Sequence, residues 1–113
     1  MNNKYMIDTD ICSYIIKDNL ESVRNNLIAH QDDDICISLI TYAELKFGVL
    51  KKKSKKLEDK LKSFIELVRI VMLNEAAVEC YIQIRQLLES AGTPLDDFDM
   101  LIAACAINEN AVL

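Results

Sequence analysis

The chain has 113 residues, 51% hydrophobic and 27% charged, which is enough for one globular core and leaves little room for a second domain. Two glycines and one proline provide few tight turns, arguing against an all-β barrel or sandwich. A net charge of −5 excludes nucleic-acid binding through bulk charge; a phosphate-backbone partner would need a local basic patch or bound cations.

Tyr5-Met6-Ile7 reads as a short buried strand ending at Asp8, and Thr9 and Asp10 offer N-cap chemistry for a helix through Lys17. A second helix is expected over 20–30, closing on the only histidine, His30, whose plain role is a solvent-exposed helix end. Gln31 to Asp34 forms an acidic loop before a second apolar strand at 35–38. A helix over about 39–52 places Leu39, Ile40, Ala43, Phe47 and Leu50 on one face. The next amphipathic helix carries Leu57, Leu61, Phe64, Ile65 and Val68, and 69–73 reads as a third strand. A helix over 75–90 shows Ala77, Cys80, Tyr81, Ile84, Leu87 and Leu88 at helical spacing, and Gly92-Thr93-Pro94 breaks it. A helix around Asp99 follows, and Ala111-Val112-Leu113 opens a fourth strand. Short apolar strands alternating with helices predict an α/β layer fold with a parallel sheet, in which ligands bind beyond the carboxyl ends of the strands.

Cys12, Cys36, Cys80 and Cys105 form no C-x-x-C pair and sit among apolar neighbours, as small core residues in a reducing compartment do. The N-terminus leads into an acidic turn rather than a signal peptide, and no apolar run approaches the ~20 residues of a membrane span. The expectation is a soluble, cytoplasmic protein.

Three carboxylates stand in apolar settings. Asp8 follows the first strand, Glu44 lies on the apolar face of the 39–52 helix, and Asp99 is the one polar side chain in F-D-M-L-I-A-A-C-A-I. Each has a structural alternative: Asp8 as a helix cap, Glu44 in a capping box Thr41-x-x-Glu44, and Asp99 as a favourable charge on the helix dipole. Asp96 and Asp97 already supply that dipole charge, however, so Asp99 is expected to face inward. Buried carboxylates sharing a crevice repel unless a cation lies between them. Oxygen ligands without histidine or thiolate favour Mg²⁺ or Mn²⁺, whose usual task is phosphoryl transfer. No Gly-rich phosphate loop, H-E-x-x-H or G-x-S-x-G occurs. Residues 51–62 hold seven of the 13 Lys and Arg, either a solvated face or a track for an RNA or DNA backbone.

Met6-Ile7-Asp8-Thr9-Asp10-Ile11-Cys12, Ser38-x-x-Thr41-x-x-Glu44-Leu45-x-x-Gly48 and Phe98-Asp99-x-Leu101-Ile102-Ala103-Ala104 together resemble PIN-domain ribonucleases of the VapC toxin type. The resemblance spans nearly the whole chain as a single PIN-like domain. It implies a three-layer α/β/α fold with a central parallel sheet of about four to five short strands. It also implies a Mg²⁺- or Mn²⁺-dependent endoribonuclease acting on RNA, with tRNA a candidate substrate and the target left open, a homodimer and a neutralising antitoxin. Asp8, Glu44 and Asp99 match the family's acidic site, as catalytic and metal-binding residues. Family members usually continue past the position of Leu113 with a Thr-Asn-rich segment that adds a ligand and completes the last strand, so that strand is expected to be truncated here. Two alternatives stay open: a catalytically impaired PIN-like module that binds RNA or protein, and an aspartyl-phosphate phosphatase built on Asp8-Thr9-Asp10.

Overall fold

Three short strands, β1 (Lys4–Met6), β2 (Asp34–Ser38) and β3 (Arg69–Val71), form a parallel sheet in the order β1-β2-β3. The protein was studied as a computed structural model, which describes residues 3–29 and 33–113. Tyr5 opposes Ile35, and Ile37 opposes Ile70. On the outer side of β1, Val112 makes a single parallel bridge to Tyr5, its amide donating to the Lys4 carbonyl at 2.9 Å. The expected fourth strand is thus one bridge rather than a ladder, and the described sheet has three strands where four to five were expected. β3 stops short of residue 73 because Ser38, its last partner on β2, turns directly into the next helix.

The helices are α1 (Thr9–Tyr14), α2 (Leu20–Ala29), α3 (Leu39–Lys52), α4 (Lys55–Ile65), α5 (Glu75–Ser90) and α6 (Asp97–Glu109). Between α1 and α2 the helix does not end near Lys17 as expected; it widens into a π-helical segment, Ile15–Asn19. No Gly or Pro interrupts 9–29, and the wider turn lets the adjacent Ile15 and Ile16 both reach the core. The cap of α1 is Asp8 rather than Thr9 or Asp10. His30, Gln31 and Asp32, and with them most of the expected acidic loop, lie outside the described residues.

Strand alternation divides the core into two layers, one on each face of the sheet. Met6, Cys36 and Val71 pack with Ala77 of α5 and with Ile102, Cys105 and Ala106 of α6. Their neighbour Ile37 points to the other face, where Cys12, Ile15 and Ile16 meet Leu45, Leu61 and Phe64. Cys12, Cys36 and Cys105 are buried free thiols, as expected of core residues, and burial, with Asp8 adding to it, pushes the Cys12 thiol up to about 12. Among the described residues no helix is long and apolar enough to cross a membrane.

The expected apolar face of α3 is not the one that packs. Phe47 and Leu50 are 65% and 70% exposed, while Thr41 and Leu45 are buried. The phase is set at the start of the helix, where Ser38 accepts from the Thr41 amide and both side chains are wholly enclosed.

Candidate active site

The carboxyl ends of β1 and β2 and the first turn of α6 border one cleft of about 420 Å³. Asp8 is the second residue beyond β1. Its extended backbone ends the strand, and its Oδ1 accepts from the Ile11 amide at 2.9 Å, so it caps α1 while its carboxylate borders the cleft.

Glu44 projects from the second turn of α3 and is held from β1's side. The Thr9 hydroxyl donates to Glu44 Oε1 at 2.6 Å and also lies 3.1 Å from the Thr41 hydroxyl. Thr41 in turn receives the Ser38 hydroxyl at 3.3 Å. Thr9 has one proton, which serves the shorter bond to the carboxylate, and the Thr41 hydroxyl completes the other. The capping box that was the structural alternative for Glu44 does not form, because Ser38 caps the helix and Thr41 already lies within its first turn.

At the third corner, three neighbouring aspartates do three different things. Asp96 caps α6 through the Phe98 amide at 3.2 Å. Asp97 accepts from the Tyr81 hydroxyl at 3.0 Å and pairs with Arg85 at 3.4 Å. Asp99 makes no ion pair among the described residues and lines the cleft beside Ile102 and Ala103.

Asp8, Glu44 and Asp99, scattered in sequence, therefore border one space. The expectation that they are buried does not hold: Asp8 and Asp99 are exposed and Glu44 is half-buried. The apolar stretch around Asp99 splits between two environments, with Met100, Ile102 and Cys105 facing the core while Phe98 and Ile107 face solvent, and Asp99 sits at the rim between them. Two further residues line the cleft, Thr9 and Asp10, which the sequence presents as helix caps and as part of the Asp8-Thr9-Asp10 alternative but not among the metal ligands. The D-x-D spacing of Asp8 and Asp10 was the available signal for Asp10; nothing local marked Thr9 as a partner of Glu44.

Among the described residues no cationic side chain lines the cleft, and its donor side chains are carboxylates and hydroxyls with no imidazole or thiolate. This set fits a hard divalent cation such as Mg²⁺ or Mn²⁺. Among the described residues no three Asp, Glu, His or Cys side chains converge closely enough to ligate one ion together, so the fit is to an ion that keeps several waters, as Mg²⁺ does.

The sequence model of the PIN domain matches residues 5–113. Ribonuclease VapC2 of Rickettsia felis is 39% identical over 111 residues, an overlap covering 96% of this chain and 83% of the relative. The tRNA(fMet)-specific endonuclease VapC of Shigella flexneri is 33% identical over 113 residues, covering 97% and 83%. Among solved structures, VapBC2 from Rickettsia felis bound to a DNA fragment from its promoter superposes with a TM-score of 0.86 at 37% identity, over 96% of this chain and 83% of that one. DNA-bound VapBC from Salmonella typhimurium gives 0.82 at 32% identity, over 98% and 84%.

Proposed function

The chain belongs to the PIN domain family and is of the VapC type, and from that premise we propose that it is a metal-dependent endoribonuclease toxin neutralised by a cognate antitoxin. The carrying observation is the gathering of Asp8, Glu44 and Asp99, none of them ion-paired among the described residues, around one cleft at the carboxyl end of a parallel sheet. In this reading Asp8, Glu44 and Asp99 would hold Mg²⁺ or Mn²⁺ partly through waters that the ion keeps. When bound, the ion lowers the pKa of a water nucleophile and neutralises charge developing on the scissile phosphate. The protein's own contribution is positional. Thr9 fixes the rotamer of Glu44, the Asp8 cap anchors that carboxylate to α1, and the apolar wall of Ile102 and Ala103 backs Asp99.

The name of the Shigella relative makes tRNA the first substrate to try. An antitoxin is supported by structural relatives that are VapBC complexes. A homodimer belongs to the same reading, as does a cytoplasmic site of action, which suits four free thiols. The lack of three convergent ligands favours one rival, a PIN-like module that binds RNA without cutting it. The phosphatase alternative finds no lysine among the residues lining the cleft.

The deciding experiment incubates the purified, partner-free protein with a small-RNA pool in Mg²⁺ or Mn²⁺, with EDTA and Asp8→Asn as controls. Discrete fragments that vanish in both controls are the expected result. RNA binding without cleavage in either metal would hand the protein to the binding-module reading.

A further inference from the structure

We propose that the groove between the π-helical segment and α3 carries the RNA backbone into the acidic cleft, with Lys17 and Lys52 as its phosphate contacts, an assignment that rests on the ribonuclease reading. The groove, about 100 Å³, adjoins the cleft at Glu44, which lines both. Lys17 and Lys52 also line it, both exposed and neither ion-paired among the described residues. Lys17 belongs to the widened turn Ile15–Asn19, whose backbone is fastened to α4 by a 3.1 Å bond from Lys60 Nζ to the Lys17 carbonyl. The π turn thus presents a cation toward the groove on a tethered stretch of helix.

Gly48 is the second observation. A glycine inside a helix is disfavoured relative to alanine, yet a Cβ at Gly48 would meet nothing within 4 Å. The residue keeps the groove open where packing does not require it to be small. The remaining lining is the aliphatic Ile16, Leu45, Val49 and Leu57 with the hydroxyl of Ser13. With no aromatic platform for stacking a base, the groove suits a backbone rather than nucleobases.

The charge distribution singles out this groove over its neighbour. The wider cavity on the far side of Lys17 is lined by Lys17, Lys56 and Lys60 but equally by Asp18, Glu21 and Asp59, which cancel them. In the Glu44 groove the only acid is the one shared with the cleft. An acidic chain that must admit a polyanion to a carboxylate site needs unpaired cations at its entrance, and these two occupy that place.

The test measures binding of 5′-labelled tRNA in EDTA across a salt series, and cleavage in Mg²⁺ or Mn²⁺, for the wild type, Lys17→Ala/Lys52→Ala and a charge-matched control. The control is Lys51→Ala/Lys53→Asn, since Lys53 has a left-handed φ of 54° that asparagine tolerates. The groove variant should lower the log–log salt slope by about 1.4, from two contacts at about 0.7 each for single-stranded RNA. It should raise KM about tenfold with kcat within twofold, while the control leaves the slope and KM nearly unchanged. Gly48→Ala should raise both the Tm and the KM, separating obstruction of the groove from misfolding. Equal slopes and KM for the groove and control variants would overturn the assignment, as would a wild type that binds no RNA. A groove variant that binds RNA normally but escapes its neutralising protein would reassign the groove to an acidic peptide. If the wild type binds tRNA with the predicted lysine dependence but cuts nothing in either metal, the nuclease reading fails and the groove stands.

Discussion

The two ends of the sheet treat charge in opposite ways. At the amino ends of the strands Arg69 makes a two-pronged contact with Asp34, at 3.2 and 2.8 Å, and reaches Glu109 at the end of α6 at 2.7 Å. Lys4 approaches Glu109 as well, at 3.5 Å. The Arg69 hydrogen bonds hold both the Asp34 and the Glu109 carboxyl below the ordinary carboxylate range. At the carboxyl ends, Asp8, Asp10, Glu44 and Asp99 face one cleft that no cationic side chain lines among the described residues. One end joins β2, β3 and α6 by pairing charges. The other gathers carboxylates with no cation among the described residues to offset them, the usual mark of a site kept for something besides folding.

Neutralising one site carboxylate breaks the comparison most sharply. Asp99→Asn should lower RNA cleavage at least about a hundredfold while moving the Tm by no more than about 2 °C, because the removed charge makes no ion pair among the described residues and only a small contribution at the start of α6. A large loss of Tm with cleavage retained would make Asp99 structural. Next in size is Thr9→Val, which removes the Glu44 tether and should cost roughly tenfold in kcat, whereas Thr9→Ser restores it.

At the paired end the effects reverse. Arg69→Ala should destabilise by about 1 kcal/mol, since the pairs are partly exposed, lowering the Tm by about 4 °C and leaving kcat unchanged. Acid titration sharpens the same point. Asp34 and Glu109 are depressed when folded, so their stabilisation is complete above the unfolded carboxylate range near ~4 and is lost as pH falls through their lower folded values. Urea midpoints measured from pH 6 to pH 2 should therefore fall less steeply for Arg69→Ala than for the wild type. The smallest expected effect is chemical. In the native protein only the half-buried Cys80 should react readily with a disulfide reagent, and the buried Cys12, Cys36 and Cys105, whose thiols burial holds above the ordinary range, should react after unfolding.

Local rules made most of the element order legible. The α5 boundaries fall where periodicity and the Gly92-Thr93-Pro94 break put them, and β2 begins one residue before its apolar run. Local rules failed where two elements compete for one residue. Leu39, Ile40, Ala43, Phe47 and Leu50 make a credible apolar stripe, but the Ser38–Thr41 cap rotates α3 so that Phe47 and Leu50 face solvent. The π segment escaped notice because widening a turn changes hydrogen-bond partners without changing composition.

By itself the sequence determined which carboxylates are unusual, because a charge beside apolar neighbours can be recognised within a few residues. It also determined the alternation of strands and helices, which follows from side-chain periodicity and capping. The meeting of Asp8, Glu44 and Asp99, 36 and 55 residues apart, was decided by the tertiary structure, as were the bond from Thr9 to Glu44 and the rim position of Asp99. Parallel strands bring their carboxyl ends to one edge only after the crossover helices have packed on both faces, and no local rule spans that distance.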